Sequence, residues 1–187
     1  MKANMVKWIN YIYQMISHSG HFWIRIFTKG IVQTLIGFFE EDHPEKVVKK
    51  TRYQQALSVV WLLLFINLFL ASTLYMKLNH PLINFFSYII LLVFIVCTVF
   101  TSWLSYVQVI SDVSTEEEAL LTAFYSSVRY WTTSLSFSLF IIVAIIIGYS
   151  NLIILVCLLP GLYVKLSQLM MSRYQELIQD AQLQLKN

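Results

Sequence analysis

Apolar positions along this chain fall into three unbroken blocks. Tyr53–Met76, Leu78–Ser111 and Tyr130–Val164 contain no Asp, Glu, Lys or Arg and are dominated by Leu, Ile, Val and Phe. A helix needs about 20 apolar residues to cross roughly 30 Å of hydrocarbon. In that layer each backbone amide must find its partner within the segment, which selects helices. The pattern therefore predicts an all-α, polytopic membrane helical bundle. It consists of four transmembrane helices plus an N-terminal helical hairpin whose depth is left open.

Polar punctuation sets the expected boundaries. In Met1–Ser17 the apolar residues Met5, Trp8, Ile9, Ile12, Met15 and Ile16 recur at helical spacing, away from Lys2, Lys7, Asn10 and Gln14. This predicts an amphipathic helix too short to span alone, broken at His18-Ser19-Gly20-His21. Phe22–Phe39 is long enough to cross, but His21, Arg25, Lys29 and Gln33 lie four apart and make one polar stripe. The segment either crosses with that stripe turned inward or snorkelling, or lies in the interface. A hairpin with the preceding helix is the expectation. Glu40-Glu41-Asp42-His43-Pro44 ends the region, and Lys46, Lys49, Lys50 and Arg52 follow.

The first clear span is about Gln55–Met76. A turn at Lys77–Pro81 leads into the return span Leu82–Val107, where Pro81 suits a helix start. Ser114 with Glu117, or Thr115 with Glu118, fits a capping box, so a helix should begin near Glu116. Ala119, Leu120, Ala123, Phe124 and Ser127 would face the bundle, and the helix would run past Arg129 into the span Trp131–Ile147. As one helix, Tyr130–Val164 would reach about 50 Å, which overshoots a bilayer. The reversal is expected at Gly148–Asn151, before a last span, Leu152–Met171, kinked at Pro160-Gly161. The chain divides into residues 1–39 (the N-terminal amphipathic and hairpin region), a cytoplasmic loop 40–54, a helical hairpin 55–107, a cytoplasmic segment 108–130, a second hairpin 131–171 and a cytoplasmic tail 172–187.

Composition agrees with a single membrane domain and places it. Of 187 residues 58% are hydrophobic and 12% charged, against about 25% charged in soluble domains. The formal charge of +3 is scattered, unlike the concentrated basic face of a nucleic-acid binder. Lys46, Lys49, Lys50, Arg52, Arg129, Lys165 and Arg173 fall on one side if the spans alternate, with Lys77 opposite. By the positive-inside rule that side is cytoplasmic, and so are both termini. The polar residues of the first segment do not make the uninterrupted apolar core of a signal peptide.

Candidate chemistry is sparse. No Asp or Glu pair lies within a span, no HExxH is present, and Cys97 and Cys157 form no CxxC. His18 and His21 lack a third ligand nearby. Asn67, Asn84 and Gln108 are the main amides, and Asn67, the deepest, suits an interhelical hydrogen bond. No catalytic, cofactor-binding or metal-binding residue is expected. Thr132, Ser134, Ser136 and Ser138 are small residues at helical spacing that let helices approach closely. With Arg25, Lys29 and Gln33 they are the expected partner-binding residues.

Two further patterns carry a resemblance. Glu117-Glu118-Ala119-Leu120-Leu121-Thr122-Ala123-Phe124, then Arg129 and Thr132-Thr133-Ser134-Leu135, form one. Leu159-Pro160-Gly161-Leu162-Tyr163 before a polar tail forms the other. With size and helix order, the chain resembles the YesL-like family of small bacterial membrane proteins, best over Thr115–Gln175. Toward the N-terminus it departs: Gly30-Ile31-Val32-Gln33-Thr34 lacks the proline of the family's turn. The resemblance implies a non-enzymatic accessory or regulatory subunit at a bacterial carbohydrate ABC importer. Such a subunit would reside in the cell membrane and touch the importer's transmembrane permease subunits within the lipid bilayer. The alternative is a small permease or channel acting as an oligomer. A core ABC permease is disfavoured because Glu118-Ala119-Leu120 lacks the glycine of a coupling loop, and an enzyme because no nucleophile–base or metal constellation is present.

Overall fold

The computed structural model describes residues 2–41, 51–78, 81–110, 115–175 and 178. Among them every regular element is helical: α1 (Lys2–Lys29), α2 (Ile31–Glu40), α3 (Arg52–Leu78), α4 (Pro81–Ile110), α5 (Glu116–Arg129), α6 (Trp131–Ser150), α7 (Leu152–Cys157) and α8 (Leu159–Met171), followed by a 3₁₀ turn at Ser172–Tyr174. Residues 42–50 of the expected loop 40–54, and residues 176–177 and 179–187 of the expected tail 172–187, lie outside the described residues. Three helices are long and apolar enough to cross a membrane: α3 over Arg52–Leu70, α4 along its length, and α6 over Trp131–Gly148.

α4 is the hub, with α2, α3, α5 and α6 all packed on it. Its inward face carries small hydroxyl residues. Thr98, Thr101, Ser102 and Ser105 are buried and donate to the carbonyls of Phe94, Cys97, Thr98 and Thr101, so each is satisfied within the helix. Large apolar side chains point the other way: Val59, Leu63 and Ile66 on α3, Leu92 and Val96 on α4, Leu139 and Val143 on α6 are all exposed. Small polar groups inside and hydrocarbon outside is the arrangement that lipid selects.

The helix breaks differ from the sequence expectation, and each has a local cause. α1 runs through His18–His21 without interruption; the break comes at Gly30, φ 87° and ψ 165°. That region is essentially reserved for glycine, so Phe22–Phe39 is two helices and not one span. α5 begins as expected, with the Thr115 hydroxyl accepting from the Glu118 N–H at 3.3 Å, and three glutamates fill the first turn, where they favour the helix dipole. It does not merge with α6. The chain turns at Tyr130, whose ring clusters with those of Trp103 and Tyr174 at centroid distances of 5.8 and 4.4 Å. Desolvation there raises the Tyr130 phenol above its usual value, with Arg129 opposing. The buried face of α5 is Ala119, Thr122, Ala123 and Ser126, whereas Phe124 is exposed.

The reversal after α6 is held by Asn151, whose Oδ1 accepts from the N–H groups of Ile153 and Ile154. The expected last span, Leu152–Met171, is two pieces of 6 and 13 residues joined at Leu158. Proline explains what happens there. Pro160 has no N–H to give the carbonyl four residues back, and that carbonyl, Val156, accepts instead from Trp23 Nε1 of α1 at 2.9 Å. The next amide, Gly161 N–H, donates to Ser19 Oγ at 2.9 Å. With no Cβ on Gly161, the α1 backbone comes close: a built Cβ would lie 2.5 Å from the Met15 carbonyl oxygen. The Pro160-Gly161 pair is thus the seat of α1.

Candidate functional site

Two features stand out inside the bundle: a polar seam near the ends of α3 and α4, and an apolar cavity further in. The seam starts at α2, which lies across α4 from α3 to α8. Its Val32 meets Ser58 of α3 and Ser105 of α4, while at its other end the Phe38 carbonyl accepts from Gln168 of α8. Gln33 Nε2 donates to Gln54 Oε1 at 2.5 Å, and Gln54 Nε2 donates to Gln108 Oε1 at 2.9 Å. The Thr51 N–H also reaches Gln54 Oε1, at 3.0 Å. Gln54 is 1% exposed, so its amide is usable only because each side is paired.

The polar stripe of the sequence is therefore divided. Gly30 carries Gln33 away onto α2 and into the seam. Arg25 stays on α1, turned toward α2: its guanidinium lies 5.0 Å from the Phe38 ring centroid and 3.6 Å from Glu41 Oε1. Gly37 leaves room for it, since a built Cβ would approach Arg25 Nη1 to 3.1 Å. His21 and Lys29 are exposed. His18 packs edge-on against Phe38, and no group of three potential metal ligands occurs among the described residues.

The small-residue face of α6 is divided too. Ser134 Oγ donates to the Ser127 carbonyl at 2.7 Å and accepts from Trp103 Nε1 at 3.0 Å. Ser136 and Ser138 are half-buried and donate to the carbonyls of Thr132 and Ser134. Thr132 is exposed. The inward positions are Thr133, which donates to Tyr174 Oη at 3.0 Å, and Phe137, which is fully buried. Asn67 reaches no other helix through its amide nitrogen, which donates to the Leu63 carbonyl one turn back.

No protein-family model, curated protein or solved structure matches this chain.

The cavity holds about 340 Å³ and is partly open. Its floor is α4 (Phe94, Thr98), and its walls are α3 (Trp61, Phe65), α6 (Phe140, Ala144) and α8 (Tyr163), with Trp23 of α1 at the side. α3 and α6 both pack on α4 but make no substantial contact with each other, and the cavity fills the space between them. The polar atoms on its walls are already paired. Trp61 Nε1 donates to Thr98 Oγ1 at 2.9 Å, and Thr98 Oγ1 donates to the Phe94 carbonyl. Tyr163 Oη lies 2.5 Å from Ser102 Oγ. Since the Ser102 proton goes to the Thr98 carbonyl, Tyr163 is the donor.

Sequence reasoning missed Gln54, Ser102 and Tyr163 as a set. The signal for Gln54 was present: it lies four residues before Ser58, on the same face of α3. The Ser102–Tyr163 pair joins residues 61 apart and left no local trace.

Proposed function

We propose that the protein is a non-enzymatic accessory or regulatory subunit of a bacterial cell membrane, acting by lateral helix–helix contact. Its partners in this reading are the transmembrane permease subunits of a carbohydrate ABC importer. The supporting observation is the use made of polar side chains. Buried amides and hydroxyls tie the chain's own helices together, and the outward surface of α3, α4 and α6 is hydrocarbon. Such a molecule offers its environment a sideways apolar surface, and helix packing is what that surface is suited to. The resemblance of the Thr115–Gln175 region supplies the identity of the partner.

In the same proposal α7 and α8 together make a fourth, broken crossing with α1 packed along it, and α2 lies beside the cytoplasmic ends of α3 and α4. Arg52, Arg129, Lys165 and Arg173 then lie on the cytoplasmic side with both termini. Lys29, Thr132, Ser136 and Ser138 are the contact residues that remain available at the surface. Arg25, Gln33 and Ser134 shape that surface from within. The test is co-purification from native membranes in mild detergent: the tagged chain should retain permease subunits, and persistent failure to do so removes this reading. Sugar flux into liposomes containing this protein alone would instead establish the oligomeric permease.

A further inference from the structure

We propose that the cavity between α3 and α6 receives one acyl chain of a bilayer phospholipid. Both walls are helices apolar and long enough to cross a membrane, so the space between them lies at the depth of hydrocarbon. Phe69, on its rim, is 57% exposed, so this edge faces the surrounding medium.

Chemistry narrows the occupant. A sugar or an ion needs unpaired donors or acceptors converging on it. Here the indole N–H groups of Trp23 and Trp61 and the hydroxyls of Thr98 and Tyr163 all have partners within the protein. What is left is an aromatic and aliphatic lining that can only be satisfied by hydrocarbon. Size narrows it further. A helix is 10–12 Å across, and two turns would need on the order of 850 Å³, well above the 340 Å³ present. A flexible chain, much thinner than a helix, fits such a space. The volume also lies within the range of small-molecule sites, about 300–1,000 Å³. This inference is independent of which membrane protein, if any, the chain accompanies.

The experiment is photo-crosslinking of the full chain in liposomes of phosphatidylcholine carrying a diazirine midway along one acyl chain, followed by peptide mapping. Adducts are expected on Trp61, Phe94 and Ile141, side chains only 4–6% exposed that bulk lipid on the outer surface cannot reach. Ala144→Phe, which fills the cavity from α6, should remove those interior adducts and leave the outward ones at Leu63 and Val96 unchanged. Adducts confined to outward side chains would overturn the proposal in the wild-type protein alone, whether or not the variant folds. Interior adducts that persist in a folded Ala144→Phe protein would also overturn it. So would interior labelling by a free diazirine fatty acid with none from the phospholipid, which would assign the cavity to a different occupant.

Discussion

Replacing Gly161 with alanine tests how α1 is held. The new Cβ would lie 2.5 Å from the Met15 carbonyl oxygen and 3.0 Å from Ser19 Oγ. Contacts below 3.0 Å are essentially never made by real Cβ atoms, so α1 must withdraw by about half an ångström. That stretches the Gly161 N–H to Ser19 bond from 2.9 Å toward the edge of useful geometry. Overpacking of this kind costs about 1–3 kcal/mol, and a side-chain hydrogen bond within a membrane bundle contributes about 0.6 kcal/mol on average. Alanine recovers up to about 1 kcal/mol of helix propensity. The net expectation is a loss of about 1–2 kcal/mol, close to tenfold in the unfolding equilibrium. Gly20→Ala is the control, because a Cβ there meets nothing within 4 Å; it should stabilise α1 by about 0.5–1 kcal/mol. The assay is unfolding in mixed micelles titrated with dodecyl sulfate, followed by helical circular dichroism and by tryptophan emission. Equal midpoints for the two alanine variants would refute the seating of α1 on Gly161.

Gly30→Ala should cost about 1–3 kcal/mol in the same titration, because its backbone conformation is closed to other residues and Ser58 Cβ lies 2.6 Å from the added atom; a neutral result would mean that the α1–α2 turn is not as described. Gln54→Ala removes the amide bonds to Gln33 and Gln108 and should cost about 1–3 kcal/mol at roughly 0.6–1.7 kcal/mol per bond. Replacing all three glutamines by leucine should recover much of that loss, since no glutamine amide is left orphaned and only the half-buried Thr51 N–H loses its acceptor; a triple variant weaker than the single one would contradict the seam. In a double-mutant cycle Ser102→Ala and Tyr163→Phe should each destabilise, and together cost less than their sum by about 0.5–1.5 kcal/mol; strict additivity would show that the two hydroxyls are not paired.

What could be read in advance was whatever depends on local chemistry or on gross apolar length. The long apolar blocks mark α3, α4 and α6, Pro81 opens α4, Thr115 caps α5 and Asn151 marks the reversal. Breaks decided by tertiary contact were not legible. His18-Ser19-Gly20-His21 reads as a helix breaker, yet Ser19 is buried against Gly161 and the helix continues. Gly30, noted only for its place in the family's turn, needs its conformation where α2 turns onto Ser58. The inward face was misjudged for a physical reason as well. In water, apolar periodicity points to the core; in lipid the surroundings are equally apolar, so Leu63 can face outward and the inward side of α4 is marked instead by Thr98 and Ser102, while on α5 the small residues Thr122 and Ser126 are buried and Phe124 is exposed. The contacts of Arg25, Gln33 and Ser134 with other elements of the same chain were likewise not legible, because spacing along one helix does not show what lies across from it.

The most direct test of the central claim, a bundle whose outward face meets hydrocarbon, is single-cysteine labelling in intact membrane vesicles. In a background with Cys97 and Cys157 replaced by alanine, cysteines are placed one at a time at Leu63, Leu92, Val96, Leu139 and Val143, all exposed on the protein surface. A water-soluble maleimide is expected to leave every one unmodified until detergent and denaturant are added. Rapid modification of these positions in intact vesicles would show that water covers this face, and would contradict the account.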